Sequence, residues 1–181
     1  MKKAAVSLLL VCVLIVSAGL GMLWYVRPEQ PLDLEYKPLA IENKVLEMIS
    51  SRKLETAFTE EELNQALKEW LAANNFLSEH WEITGAQGRL NGERMDVDVN
   101  VLYAGRVPVG ATAVYRLTWD NPNLIAEPVE VQVKRAKVTA AQAGLQPVVI
   151  PIGDQLPLGF SISKVTFEAK SVRVKFRFSL L

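Results

Sequence analysis

The chain has 181 residues, enough for one domain of ordinary size or two very small ones. Its 20 Lys+Arg balance 20 Asp+Glu, which argues against nucleic-acid binding driven by bulk charge. One cysteine and one histidine exclude an internal disulfide framework, zinc fingers and multi-cysteine clusters.

Half of the residues are hydrophobic, and they are unevenly spread. From Ala4 to Val26, 19 of 23 residues are apolar and none is charged. As a helix this run would be about 34 Å long, sufficient for a hydrocarbon core of about 30 Å. Lys2 and Lys3 precede it, Trp24 and Tyr25 close it at interfacial depth, and Arg27-Pro28 ends it. Val16-Ser17-Ala18 would also serve as a signal-peptide cleavage site, but the apolar run continues well past it, which favours an uncleaved anchor. Cys12 follows Leu10-Val11 instead of small residues, so a lipid-facing thiol explains it better than a lipoprotein signal. The basic end predicts residues 1–3 in the cytoplasm and residues 27–181 outside. A body without cysteine suits an exported bacterial protein.

Residues 27–38 hold three prolines and several charges, the composition of a stiff stalk before a domain at 39–181. A first helix is predicted over Ile41 to Arg52, with Ile41, Val45, Leu46 and Ile49 on one face. The next begins at Thr59, where Thr59 and Glu62 match a capping box, and Phe58 and Leu63 stand where a hydrophobic staple forms. Leu63, Ala66, Leu67, Trp70 and Leu71 follow the spacing of a buried face, and Asn74-Asn75 is a stop.

The hydrophobic period then changes from 3.6 to 2. Trp81 and Ile83 start a strand that reaches Asn91-Gly92, a hairpin signal. Val97, Val99, Val101 and Tyr103 alternate with Asp96, Asp98 and Asn100. Val107 to Trp119 alternates likewise, Asp120-Asn121-Pro122-Asn123 is a turn, and Val129, Val131 and Val133 carry a further strand. Residues 139–159 are punctuated by Gly and Pro, with an Ala-rich stretch suited to a short helical turn. A last hairpin turns near Ala169-Lys170 into Val172, Val174, Phe176, Phe178 and Leu180. The expected class is α+β: an N-terminal transmembrane helix, then one or two amphipathic helices on a long, curved antiparallel sheet. Middle strands of about 12 residues would curve and leave an elongated groove.

Few residues suggest chemistry. His80 lacks a nucleophile motif, and a loop imidazole is its default reading. Asp96 and Asp98 would lie about 7 Å apart on one strand face, close enough for a cation or a glycosidase pair, but the flanking valines make them the wet face of a half-buried strand. Glu60, Glu61 and Glu62 suit the positive end of a helix dipole. Arg173, Lys175 and Arg177 form a cationic ladder of about 14 Å that could meet anionic head groups or a phosphate-bearing polymer. The competing reading pairs them with acids such as Glu168 or Glu130 on neighbouring strands. No phosphate-binding glycine loop or dinucleotide fingerprint occurs.

The N-terminal anchor, Phe58-Thr59-Glu60-Glu61-Glu62-Leu63-Asn64-Gln65-Ala66-Leu67 with Trp70-Leu71, the run of strands, and Gly144-Leu145-Gln146-Pro147 and Leu156-Pro157 before a final hairpin together resemble the small single-pass membrane proteins of Gram-positive bacteria typified by YpmS. The likeness covers most of residues 50–181. It implies an extracytoplasmic α+β domain similar to half of a tubular lipid-binding fold, and it implies no catalytic residues.

The functional expectation is therefore a non-enzymatic, membrane-anchored binding module for a lipid or another amphipathic envelope component. Trp70, Arg173, Lys175 and Arg177 are its candidate ligand contacts. No cofactor, metal or nucleic acid is expected. The alternative is an interaction or scaffold subunit of a cell-envelope complex, docking through an exposed strand or the 139–159 loop.

Overall fold

A computed structural model describes residues 2–38, 44, 48, 54–74, 76–152, 156 and 160–178, with the side chains of 2–11, 76–78 and 178 set aside. The fold is α+β, with helical structure packed on a curled antiparallel sheet. Helix α1 spans Lys2–Tyr25. Among the described residues no helix is long and apolar enough to cross a membrane. Lys44 and Met48 are helical; the rest of the helix predicted over Ile41 to Arg52 lies outside the described residues.

Strand β1 (Glu55–Thr59) leads directly into helix α2 (Glu60–Ala73). The predicted capping box is present: the Glu62 N–H donates to Thr59 Oγ1 at 3.3 Å, and the Thr59 N–H donates to Glu62 Oε2 at 2.9 Å. Nine further strands follow among the described residues, and β2 (Phe76–Ser78), β3 (Trp81–Asn91), β4 (Arg94–Tyr103), β5 (Val107–Asp120), β6 (Asn123–Val133) and β7 (Ala136–Thr139) form one sheet in that order. Short β8 (Val148–Ile150) pairs with the other half of β6, at Leu124, Ile125 and Ala126. The last hairpin, β9 (Phe160–Phe167) and β10 (Ser171–Phe178), joins β1 in a separate three-stranded sheet ordered β1-β10-β9. The predicted strands thus divide between two sheets. The division rests on the pairing of β1 with β10 across more than a hundred residues, a contact that no local pattern encodes.

The turns follow their sequence signals. Asn91 pairs with Arg94 across a two-residue loop, and Gly92 takes φ +62 as such tight hairpins require. Asp120 pairs with Asn123. The 139–159 segment contains the expected helical turn, capped by Thr139 and Gln142 in reciprocal bonds, and the additional strand β8.

Two apolar clusters make the core. Leu90 and Leu117 of the long sheet meet Ile162, Val172 and Val174 of the short one, flanked by Phe58 and Leu63. The second joins Leu71 of α2 to Ile83, Ala86 and Val101. The buried residues of α2 are Asn64 and Leu71, two turns apart, and Trp70 is 51% exposed. This corrects the predicted buried face. The helix is anchored on β3 through Asn64, so its inward stripe runs through 64, 67 and 71, and Trp70, one step from Leu71, is rotated to the rim.

Candidate functional site

The long sheet has two unlike faces. Residues 97, 99 and 101 of β4 share a face with Ile83, Val109, Ala113 and Val131, because each is a cross-strand partner in register. Helix α2 covers this apolar face over β3. Over β5, β6 and β7 the cover thins: Val109, Val131 and Val133 are only half-buried, and Val138, opposite Val131, is 41% exposed. At one end the face terminates in Trp81 and Tyr103, cross-strand partners whose rings lie 4.7 Å apart, with His80 edge-on to Tyr103 at 6.3 Å. Such a pair has an apolar body and hydrogen-bonding tips, the combination found at wet–dry boundaries.

The opposite face is polar, and residues 26–38 lie across it. Gly85, Asn100 and Gly110 are register partners on β3, β4 and β5. The Gly110 N–H donates to the Val26 carbonyl at 3.0 Å, Asn100 Nδ2 to the Gln30 carbonyl at 2.8 Å, and the Ala86 N–H to the Asp33 carbonyl at 3.2 Å. A Cβ at Gly85 would stand 2.2 Å from the Leu32 carbonyl group, and one at Gly110 would stand 2.8 Å from Pro28 Cα. Both glycines are therefore places where backbone passes over backbone. The segment then turns round the edge of β3: Leu34 joins the second core cluster, Lys68 pairs with Asp33 at 2.6 Å, and the Lys37 N–H donates to Gln65 Oε1. The Lys68 ammonium and the Glu35 N–H hold the Asp33 carboxyl below its usual range. A composition that predicts a stalk at 27–38 here makes a strap.

Between strap and sheet lies a polar cleft of about 310 Å³, lined by Arg27, Glu29, Arg89, Asp98, Thr112 and Lys134 among others. Four of these five charges are matched in pairs. Arg89 grips Asp98 with both terminal nitrogens, at 2.5 and 3.2 Å, Thr112 Oγ1 donates to the same carboxylate at 2.7 Å, and Lys134 pairs with Glu29 at 3.1 Å.

The candidate residues fall in separate places. Arg173, Lys175 and Arg177 project from the outer face of β10. Arg173 Nε donates to Glu168 at 2.9 Å, Lys175 Nζ lies 3.5 Å from Glu55, and Arg177 donates to Ser161 Oγ at 3.0 Å. The Arg173 guanidinium and the Ser171 hydroxyl lower the Glu168 carboxyl, and Glu168 raises Arg173 in return. This is the cross-strand pairing that competes with an anion-binding reading. Trp70 lies on α2, an element of the other side of the core. Asp96 is held by Arg94 at 2.7 Å and Asp98 by Arg89, so both carboxylates serve exposed ion pairs. Glu60 accepts from the Leu90 N–H at 2.8 Å, Glu61 accepts from Gln65 and Glu62 from Thr59 and Lys44, which gives all three helix-start acids specific partners. Among the described residues no group of three or more His, Cys, Asp or Glu is placed to hold a metal ion.

The strap contacts at Gly85, Asn100 and Gly110 carry a faint sequence signal: two glycines and an amide interrupt otherwise regular β-branched alternation. No family model, curated protein or solved structure matches the chain.

Proposed function

We propose that this chain is a membrane-anchored, extracytoplasmic binding module that takes a lipid or another amphipathic envelope component along the apolar face of β5 to β7. In this reading α1 is an uncleaved single-pass anchor with residues 1–3 in the cytoplasm. Its support is the uncharged apolar run from Ala4 to Val26, closed by Trp24 and Tyr25. The observation that carries the binding reading is the thinning cover over β5 to β7. Val109, Val131 and Val133 stay half-buried, and Val138 is 41% exposed, on the same face that is sealed by α2 over β3. A closed, dry core would have no reason to stop at mid-sheet. Trp81 and Tyr103 form an amphipathic mouth to this stripe. The resemblance to YpmS-like proteins read from the order of parts agrees with this role, which needs no catalytic residue.

Native mass spectrometry of the full chain, gently extracted in detergent, tests the reading. Co-purifying lipid that is lost in Val131→Glu is the expected result. A bare chain whose thermal midpoint is unmoved by added phospholipid would overturn it.

A second reading is favoured by one observation. Val149 is 55% and Ile150 38% exposed on short β8, within the 139–159 loop, and they offer an apolar edge to an envelope protein. Crosslinking in cells should then recover one dominant partner that disappears on Val149→Lys with Ile150→Lys. Both readings treat the protein as non-enzymatic, and any hydrolase activity abolished by His80→Ala or Asp98→Asn would count against both.

A further inference from the structure

The strap decides where the domain stands relative to α1. If Trp24 and Tyr25 sit at the headgroup level, Val26 follows directly, and its carbonyl is bonded to the Gly110 N–H at 3.0 Å. Two residues of extended chain reach at most about 7 Å, so with the 3.0 Å hydrogen bond added the sheet at Gly110 lies within about 10 Å of the interfacial layer. Twelve residues used as a free stalk would instead allow a separation of about 40 Å.

The part of the sheet that Gly110 brings near is defined by register. Tyr103 pairs with Val107 and Trp81, three residues or about 10 Å along the strands from Gly110. The β6–β7 turn, Lys134 and Arg135, lies level with Gly110, since Thr112 pairs with Gln132 two residues before it. That end therefore gathers Trp81 at 36% exposure and Tyr103 at 41%, with Arg27, Arg106, Lys134 and Arg135. Its acids are Glu29, which is paired with Lys134, and Glu79 and Glu82. The far end carries no such cationic excess: Glu60, Glu61, Glu62, Glu93 and Glu168 gather there with Lys44, Arg94, Arg116, Lys170 and Arg173.

We propose that the end of the long sheet bearing Trp81, Tyr103, Arg106 and Arg135 rests on the anionic headgroup layer of the membrane that α1 enters. The proposal rests on the anchor reading above and adds a surface to it. The aromatic pair sits at the depth where rings with polar tips partition, and the arginines meet phosphate. The mouth of the half-buried valine stripe then opens at the bilayer surface, where an acyl chain can enter without crossing water.

The test uses the full chain with Cys12→Ser, placed in nanodiscs containing phosphatidylglycerol and phosphatidylcholine. A nitroxide is attached at Glu79→Cys, beside the aromatic pair, or at Glu93→Cys, at the far end. Collision with a water-soluble nickel chelate should be several-fold lower at 79 than at 93, and the difference should shrink in phosphatidylcholine alone. Equal access at the two sites in a chain that stays with the bilayer through alkaline extraction overturns the docking and leaves the anchor standing. A chain that alkaline extraction removes overturns the anchor itself. Protection that is unchanged without phosphatidylglycerol overturns the assignment to anionic headgroups.

Discussion

Asn64 is joined to Gly88 by two bonds through its side-chain amide: the Gly88 N–H donates to Oδ1 at 2.5 Å, and Nδ2 donates to the Gly88 carbonyl at 2.8 Å. The amide thus stands in for a strand partner at the outer edge of β3. The groups on either side are met in the same way, by the Asp33 carbonyl at Ala86 and the Glu60 carboxylate at Leu90. An edge that would otherwise offer a row of open backbone groups is closed by the strap and one helix.

This closure predicts a large effect from a small substitution. Asn64→Leu should cost about 2–4 kcal/mol, because it strands both a buried N–H and a buried carbonyl. Asn64→Asp keeps the acceptor for the N–H but sets a carboxylate oxygen against the Gly88 carbonyl, so it should also destabilise. Urea unfolding of the full chain in detergent measures both. A loss below about 0.5 kcal/mol for Asn64→Leu would show that water replaces the amide.

Gly85 and Gly110 predict a separable effect on the strap. A methyl group at either position overlaps strap backbone, which cannot move aside as a flexible side chain would. Gly85→Ala should therefore lift residues 26–34 off the sheet. Amide exchange should accelerate at Ala86, whose N–H is bonded to Asp33, while Val97 and Val114 in the middle of β4 and β5 keep their protection. Uniform acceleration across the sheet would mean instead that the strap and the domain unfold as one unit.

Local signals account for most of what the sequence made legible. The α2 start, the Asn91-Gly92 hairpin and the strand alternation each depend on residues within a few positions of one another, and each is found where predicted. The strap was not legible, because it is held chiefly by main-chain carbonyls at Val26, Gln30 and Asp33, whose bonding leaves no side-chain periodicity. The prolines that suggested a stiff stalk suit an extended segment crossing a sheet equally well. Trp70 was misplaced for a related reason. Hydrophobic spacing centres a helix on its apolar residues, whereas α2 is centred on a buried asparagine that binds backbone. The cationic ladder was legible as a pattern, and only the register with β1 and β9 shows that Glu55, Glu168 and Ser161 engage it.

That engagement predicts a modest role for Arg173. It is bonded to Glu168 at 2.9 Å and lies 3.8 Å from Glu55, with its side chain 39% exposed. Solvent screening at such exposure limits the contribution, so Arg173→Gln should leave the urea midpoint almost where it is. Inorganic phosphate titrated into the full chain should leave the β10 amide resonances unmoved up to millimolar concentrations. Saturable shifts at Arg173, Lys175 and Arg177 would restore the ladder as an anion site.

The capping box supplies a pH signature. Burial pushes the Glu62 carboxyl up, but the Thr59 N–H and the Lys44 ammonium at 2.9 Å outweigh it, and the net displacement is below the ordinary 4.5. The unfolded chain therefore binds this proton more readily than the native one. The stabilisation is complete above about pH 4.5 and is lost as pH falls through the lower native value. Glu62→Gln keeps an N3 acceptor for the Thr59 N–H but loses the charge opposite Lys44, so it should cost about 0.5 kcal/mol at neutral pH. The gap between variant and parent should then close as pH drops below 4.5. Glu168 and Asp33 are displaced in the same direction, so the parent's own decline with acid should persist in the variant. Urea midpoints from pH 7 down to pH 3 follow both curves. A gap that stays constant across that range would mean Glu62 acts through packing, and that its charge contributes nothing to the cap.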